Sequence, residues 1–241
     1  MGGVTSMSQN KLLAYLVTFF SILALVSFAF SPFFEIKSIE LQGLKVLSEE
    51  DFNFLIAPYN NTNILFLDSR KLDRELKASI AYLESVKIQK DYPDKVTIKV
   101  IEREPVAMIN NNGKFLSFTS NGSIVEEGSI KRRVMVPEIK GLGYTLNNRQ
   151  ISYSLILEIV VQALEQLSLE KRSIITNISY DEKADSITAS TNGYQIYFGE
   201  PVELVDKFKV LESIFKKIEE QDLKVEYIDL KISKKPVVKI K

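Results

Sequence analysis

Apolar residues are most concentrated near the N-terminus, where residues 12–30 read LLAYLVTFFSILALVSFAF and carry no charge. Nineteen helical residues are about the length that crosses roughly 30 Å of hydrocarbon. The stretch has no polar face, which disfavours a buried helix of a soluble protein. A cleaved signal peptide would have a shorter apolar stretch, and more aromatic residues follow its nearest cleavage candidate, Ser27-Phe28-Ala29. We therefore predict a retained membrane helix at residues 12–31.

The charges around this helix favour one orientation in the membrane. The tail, residues 1–11, carries Lys11 and the free amino group but no acid. Glu35, Lys37 and Glu40 follow the helix closely. Because positively charged flanks stay in the cytoplasm, we expect the N-terminus inside and the rest of the chain outside.

Residues 34–104 combine strand and helix patterns. Alternation from Phe34 to Leu41 predicts a half-buried strand, which ends at Gly43. Two short helices follow, the first with Ser48 and the second with Asp68 as its predicted N-cap. Their apolar faces consist of Phe52, Leu55 and Ile56 in the first helix and of Leu72, Leu76 and Ile80 in the second.

Two more strands complete this region, at residues 83–90 and 95–102. Both contain alternating β-branched residues, and Tyr92-Pro93-Asp94 predicts the turn between them. The predicted order is therefore β-α-α-β-β in a domain at residues 34–104.

Residues 105–241 predict a second domain that mixes strands and helices. It begins with a hairpin around Asn110-Asn111-Asn112-Gly113 and a strand at Ile124-Val125, and residues 137–143 look irregular. A helix is predicted at residues 148–168 from apolar residues at helical spacing. Three strands follow, at residues 175–180, 186–190 and 194–198, and Asn192-Gly193 predicts a hairpin between the last two.

A last helix and an extended segment end this domain. The helix runs to about Gln221, and its apolar positions from Leu204 to Ile218 recur at spacings of four and three. The lysines between them are predicted on its solvent face, namely Lys207, Lys209, Lys216 and Lys217. Strand-like runs at residues 225–233 and 237–241 follow.

The composition removes several kinds of chemistry. The chain has no cysteine and no histidine, which rules out disulfides, imidazole or thiolate metal sites and histidine-based catalytic triads. Its 31 basic and 31 acidic residues show no basic surplus of the kind that binds nucleic acid. Gly141-Leu142-Gly143 lacks the lysine and further glycine of a phosphate loop. We therefore expect no enzyme activity, no catalytic or metal site, no cofactor, no nucleic acid and no small-molecule substrate.

Several short motifs, in order and spacing, resemble the POTRA domain of the bacterial cell-division family FtsQ, called DivIB in Gram-positive bacteria. They are Ile39-Glu40-Leu41-Gln42-Gly43, Ser48, Asn63-Ile64-Leu65-Phe66-Leu67-Asp68, Val86-Lys87-Ile88-Gln89-Lys90-Asp91-Tyr92-Pro93, Val96-Thr97-Ile98-Lys99-Val100 and Glu102-Arg103-Glu104-Pro105-Val106-Ala107. Near the C-terminus, Asp229-Leu230-Lys231 is similar to the family's Asp-Leu-Arg-like motif, with lysine in place of arginine. The resemblance extends over about residues 12–240.

This resemblance implies an α+β protein with an N-terminal transmembrane helix, a POTRA domain and a mixed α/β "beta" domain with a C-terminal edge strand. It also implies a scaffold of the division machinery, located in the bacterial cytoplasmic membrane and at the septum. Such proteins link early and late division proteins and bind the coiled-coil membrane proteins FtsB (DivIC in Gram-positive bacteria) and FtsL.

The expected binding mode is β-strand addition at a C-terminal edge that runs from about Tyr227 to Val238. Ile232 is the expected anchor, although it could equally be an ordinary core residue. The predicted partner-binding residues are Tyr227, Asp229, Leu230, Lys231, Ile232, Ser233, Val237 and Val238.

Two other classes of function compete with this one. POTRA domains also occur in envelope transport and assembly proteins, but their barrels need at least about eight membrane strands of roughly ten residues. The two predicted helices and many charges after residue 105 disfavour a barrel. An envelope enzyme is disfavoured because no catalytic constellation is present in the sequence.

Overall fold

The computed structural model describes residues 9–128 and 133–241, so most of the predicted tail, residues 1–8, lies outside the described residues. The chain divides into two compact units, the first ending at Glu102 and the second beginning at Arg103. The first unit includes α1 (Gln9–Ala29), which corresponds to the predicted membrane helix. Within the described part of the chain, α1 is the one helix long and apolar enough to cross a membrane.

The rest of the first unit is a three-stranded sheet with two helices. Its elements are β1 (Ser38–Gln42), α2 (Glu50–Ile56), α3 (Ser69–Ser79), β2 (Leu83–Asp91) and β3 (Lys95–Glu102). The strand order is β1-β3-β2, with β1 parallel and β2 antiparallel to β3. The predicted β-α-α-β-β order is therefore confirmed.

The second helix of this unit begins where its sequence predicted. The Asp68 carboxylate accepts the backbone N–H groups of Arg70 and Lys71, both at 3.0 Å, and so caps α3. Leu72 and Leu76 lie one turn apart and are completely buried.

Two details of the predicted helices are wrong. Ser48 does not cap α2, which begins at Glu50, because its N–H and hydroxyl both donate to the Asp51 carboxylate at 2.8 and 3.1 Å. Ile80 lies just beyond α3 and is only half-buried, because the helix ends at Ser79.

The turn after β1 depends on a glycine and a carboxylate. Gly43 has φ +90°, and a Cβ there would lie 2.4 Å from the carbonyl oxygen of Val100. Beyond it, the Glu102 carboxylate accepts the backbone N–H groups of residues 45–47 at 2.8 to 3.2 Å.

The second unit is built on a nine-stranded sheet. Its elements are β4 (Ala107–Asn111), β5 (Lys114–Phe118), β6 (Ile124–Gly128), β7 (Glu138–Lys140), β8 (Tyr144–Asn147), β9 (Gln150–Tyr153), α4 (Leu155–Leu164), α5 (Leu169–Ile174), β10 (Ile175–Asp181), β11 (Ser186–Thr191), β12 (Gln195–Gly199), α6 (Leu204–Glu220), β13 (Val225–Asp229) and β14 (Val237–Ile240). The strand order is β14-β13-β12-β11-β10-β7-β4-β5-β6, and β8 and β9 form a separate hairpin. The core contains buried residues of this sheet together with those of α4 and α6.

The predicted helix at residues 148–168 is wrong in its extent. The structure places β9 first, and Ser154 and Ser168 then cap two shorter helices, α4 and α5. Leu155, one of the apolar residues at helical spacing that predicted this helix, is exposed. The run from 155 to 164 is nearly all apolar, so few polar positions marked the outer face of the helix.

Residues 137–143 are not irregular throughout, because they contain β7. This three-residue strand pairs in parallel with β4 and β10 near the middle of the sheet. Only Ile139 of β7 is buried, so the strand is too short to show an alternating pattern.

A buried arginine fixes the beginning of the second unit. Arg172 of α5 donates to the carbonyl oxygens of Leu167 and Pro105 at 3.1 and 3.0 Å and forms an ion pair with Glu104. These bonds satisfy the buried guanidinium and hold the segment before β4 against α5.

Candidate partner-binding edge

The predicted C-terminal edge is a hairpin and not a single strand. β13 pairs in parallel with β12 on one side and antiparallel with β14 on the other. The predicted edge at residues 227–238 is thus divided between an inner strand, a turn and an outer strand. The two strand-like runs are both present in the sequence, but their pattern does not show that the second folds back and pairs with the first.

Three of the predicted binding residues belong to the inner part of this hairpin. Tyr227 and Asp229 are opposite Gln195 and Tyr197 of β12. Leu230 is completely buried, and its N–H donates to the carbonyl oxygen of Tyr197 at 2.8 Å. Their backbone groups therefore do not lie on the outer edge of the sheet.

Three other predicted residues form the turn after β13. The Lys231 N–H donates to the Asp229 carboxylate at 2.9 Å, and its ammonium lies 5.8 Å from the centre of the Tyr197 ring. Ser233 donates its hydroxyl to the Glu203 carboxylate at 2.8 Å. Ile232 is 61% exposed, so the alternative interpretation as an ordinary core residue is wrong.

The outer strand β14 contains the last two predicted residues. Val237 is 52% exposed, whereas Val238 is half-buried, pairs with Ile228 and packs on the core. Lys239 and the 48% exposed Ile240 belong to the same strand but were not predicted as binding residues. No described strand pairs with the outer side of β14.

The hairpin end is strongly basic. Residues 230–241 contain five lysines and no acid, whereas the whole chain has a formal net charge of zero. The lysines are Lys231, Lys234, Lys235, Lys239 and Lys241.

A groove of about 560 Å³ lies beside the turn and has Ile232 and the exposed Val202 in its lining. Lys207 of α6 also lines it, although the sequence placed this residue on the solvent face of the helix. Lys207 is buried, and its ammonium donates to the carbonyl oxygens of Phe198 and Glu200 at 2.8 and 3.0 Å. Burial lowers the pKa of Lys207.

The prediction for Lys207 is wrong because its position on α6 faces the end of β12. The chain there passes through Gly199 and leaves carbonyl groups that need a donor. Helical spacing alone gave no sign of these carbonyls.

The acidic side chains show no arrangement that would hold a metal ion, as far as residues 9–128 and 133–241 are concerned. The features of the candidate edge are the outer strand β14, exposed apolar side chains and positive charge.

Comparison with known families assigns both units. Residues 34–103 match the POTRA domain of the FtsQ type, and residues 100–231 match the C-terminal domain of the cell division protein FtsQ/DivIB. The chain belongs to the FtsQ/DivIB family. The expected α+β architecture, with an apolar N-terminal helix, a POTRA domain and a sheet-rich domain, is thereby confirmed. The FtsQ/DivIB C-terminal match ends at Lys231, before β14.

Named relatives of the FtsQ/DivIB family cover most of the chain. DivIB of Clostridium tetani is 26% identical over 218 residues, which are 87% of this chain and 81% of the relative. FtsQ of Geotalea daltonii is 25% identical over 219 residues, 87% of this chain and 77% of the relative. DivIB of Staphylococcus aureus is 21% identical over 153 residues, 64% of this chain and 32% of the relative. All three are named as cell division proteins.

Proposed function

We propose that the protein is a non-enzymatic scaffold of the bacterial divisome, which links early and late division proteins through protein–protein contacts. Its partners are coiled-coil membrane proteins of the FtsB (DivIC) and FtsL kinds. A partner segment adds to β14 as a further strand of the sheet. The observation that carries this proposal is the unpaired outer side of β14, since family membership alone supports only a role in cell division.

The backbone of β14 supplies the first part of the interface. An edge strand presents alternate N–H and C=O groups that no neighbouring strand satisfies, and an extended peptide can pair with them. Because β13 lies between β12 and β14, the hairpin is held by the sheet before any partner binds.

The exposed side chains supply the second part. Val237 and Ile240 offer apolar contacts at the two ends of β14, and Ile232 offers another beside the groove at the turn. We therefore expect a partner segment with apolar residues that reach both the strand and the turn.

The lysines at this end define the charge of the partner. Five positive charges without an acid favour an acidic segment and disfavour a basic one. The proposed ligand is thus an extended, acidic segment with apolar residues, located outside the membrane in a coiled-coil partner.

The proposed topology rests on α1 and its flanking charges. The N-terminus lies in the cytoplasm, α1 crosses the cytoplasmic membrane once, and the POTRA domain and the second unit lie outside. The protein is located at the division septum, where the partner proteins also cross the membrane.

A binding experiment tests the proposed edge. The full-length protein in nanodiscs is titrated with the extracytoplasmic part of its FtsB/DivIC-like partner, and the dissociation constant is measured by calorimetry. Val237→Glu should weaken binding at least about tenfold, because it places a negative charge against an acidic segment and removes an apolar contact. Ile232→Glu tests the contribution of the turn in the same assay.

Leu146→Glu is the matched control, since Leu146 is an exposed leucine of the separate β8–β9 hairpin. It should leave the dissociation constant unchanged, and circular dichroism should show that all variants are folded. If the Val237→Glu variant binds the partner with unchanged affinity, β14 is not part of the interface. In cells, a diffuse envelope signal of a fluorescent fusion together with normal division after depletion would contradict the proposed role.

A further inference from the structure

Phenylalanine rings gather at the end of α1 that is joined to the POTRA domain. Phe28, Phe33 and Phe34 contact one another with ring centres 5.0 to 5.5 Å apart. Phe30, directly after the helix, contacts Phe66 with ring centres 5.0 Å apart. Phe66 comes from the loop between α2 and α3, so the POTRA domain contributes to this group of rings.

Asn63 attaches that loop to the helix end. Its side-chain N–H donates to the carbonyl oxygen of Ala29 at 2.7 Å, where the last carbonyls of a helix lack partners within the helix. Its side-chain oxygen accepts the N–H of Leu65 at 2.9 Å and begins the single helical turn Ile64–Phe66. The position of Phe66 relative to α1 is therefore determined by two hydrogen bonds and a ring contact.

In the same part of the POTRA domain, two large apolar side chains are unusually exposed to solvent. Phe54 of α2 is 89% exposed and Phe66 is 60% exposed. Both line a groove of about 620 Å³ that also includes Leu55 and Pro58. Contiguous exposed apolar surface of this kind marks a contact with a membrane or a protein.

We propose that Phe30, Phe33, Phe54 and Phe66 form a membrane-facing surface, which places this side of the POTRA domain in the interfacial layer of the bilayer. The inference rests on α1 crossing the membrane, as proposed above, but not on partner binding at β14. The domain is thus held against the bilayer at a defined face and is not only tethered to it by α1.

Continuity with α1 selects the bilayer as the occupant. Hydrocarbon that covers α1 up to Ala29 reaches Phe30, and the ring of Phe66 is in contact with Phe30. Aromatic rings are favoured in the interfacial layer, where amphipathic surfaces enter about 5 to 10 Å. Phe54 shares its groove with Phe66 and therefore lies at the same boundary.

Tryptophan fluorescence can measure this depth, because the chain contains no tryptophan. Phe54→Trp and Phe66→Trp are introduced separately into the full chain, which is reconstituted into phosphatidylcholine vesicles. Both should show blue-shifted emission and should be quenched most by lipids brominated near the top of the acyl chain. Water-like emission without quenching by brominated lipid would overturn the proposal.

Two control positions separate this inference from the proposed membrane anchor. Phe20→Trp, inside α1, should be quenched by lipids brominated deep in the chain, and failure here would contradict the anchor itself. Ile101→Trp should remain water-like. Ile101 is exposed and lies six residues along β3 from Lys95, the partner of Ser38, or about 20 Å at the rise of a strand.

A smaller probe covers the case in which tryptophan disturbs the loop. The chain has no cysteine, so a nitroxide on Phe54→Cys reports accessibility to oxygen and to a water-soluble nickel chelate. Preference for oxygen in vesicles of lipid alone supports the proposal. Preference for the chelate, lost only when a coiled-coil partner is reconstituted as well, would show that the surface holds a protein and would overturn it.

Discussion

The two outer strands of the nine-stranded sheet differ in how they meet solvent. In β6, Ile124 and Val125 are buried, whereas Glu126 and Glu127 follow at the open end. Glu126 accepts the N–H of Arg133 at 3.1 Å, and Glu127 forms an ion pair with Lys114 at 3.0 Å. In β14 the apolar residues at positions 237 and 240 are about half exposed.

This difference indicates that one edge is protected and the other is available. Charged side chains and contacts with a neighbouring segment discourage strand pairing at an edge. β6 has both, since its Ile124 N–H already donates to the carbonyl oxygen of Arg149 at 2.9 Å. β14 combines exposed apolar residues with lysines, and lysines on an edge also discourage pairing between two copies of the same strand. Such an edge would repel a second copy of the chain and still accept an acidic segment.

Among the changes proposed here, removal of β14 should weaken partner binding most. A chain that ends after Lys235 should bind the partner segment at least about 100-fold more weakly, since hot-spot contacts are worth 2 kcal/mol or more each. The edge then exposed is β13, whose Glu226 and Asp229 would repel an acidic segment. The free energy of unfolding should fall by about 2 to 4 kcal/mol, because the half-buried Val238 and the backbone pairing with β13 are both lost.

The comparison needs a matched change at the other edge. Glu127→Ala should alter neither the dissociation constant nor, beyond about 0.5 kcal/mol, the free energy of unfolding, since its ion pair is exposed. Equal loss of binding from both changes would show that the two edges are not functionally distinct.

The next largest effect is expected on stability, at the end of β12 where Lys207 is buried. Lys207→Met keeps most of the side-chain volume but leaves the carbonyls of Phe198 and Glu200 without their donor. We expect the free energy of unfolding to fall by about 2 kcal/mol, measured by urea denaturation. Lys209→Met, an exposed lysine on the same helix, is the control and should change stability very little. A Lys207→Met variant as stable as the control would contradict the assigned role.

The smallest effect is expected on the β6 side. The Tyr153 hydroxyl donates to the carbonyl oxygens of Thr119 and Ser120 at 2.8 and 3.2 Å, in the turn that leads into β6. Tyr153→Phe should reduce the free energy of unfolding by about 1 kcal/mol and keep the ring contact with Phe118. Partner affinity should not change, and a loss of affinity comparable to that of Val237→Glu would link the two edges.

The sequence predicted features that depend on neighbouring residues. Three examples are the cap at Asp68, the strand at residues 95–102 and the last helix, with its apolar positions from Leu204 to Ile218. Each shows its pattern within a few positions of the sequence, and all three are present. The POTRA order was predictable for the same reason, since each of its elements has a clear period of its own.

Features that depend on distant partners were not predictable. β7 is a strand because β4 and β10 lie on its two sides, and its three residues show no period. Lys207 is buried because the end of β12 supplies two carbonyls. Likewise, β13 is an inner strand only because β14 folds back on it, so the sequence located the C-terminal edge but not the strand that forms it.

The lysines of the hairpin end also have a consequence for how fast a partner is captured. With residues 230–241 carrying five positive charges, the remainder of the chain has 26 basic and 31 acidic residues and is net negative. This separation gives the molecule a positive pole at β14, which would steer an acidic segment toward the edge during diffusion. Ionic strength would then govern the rate of encounter, while the apolar contacts and strand pairing govern how long the complex lasts.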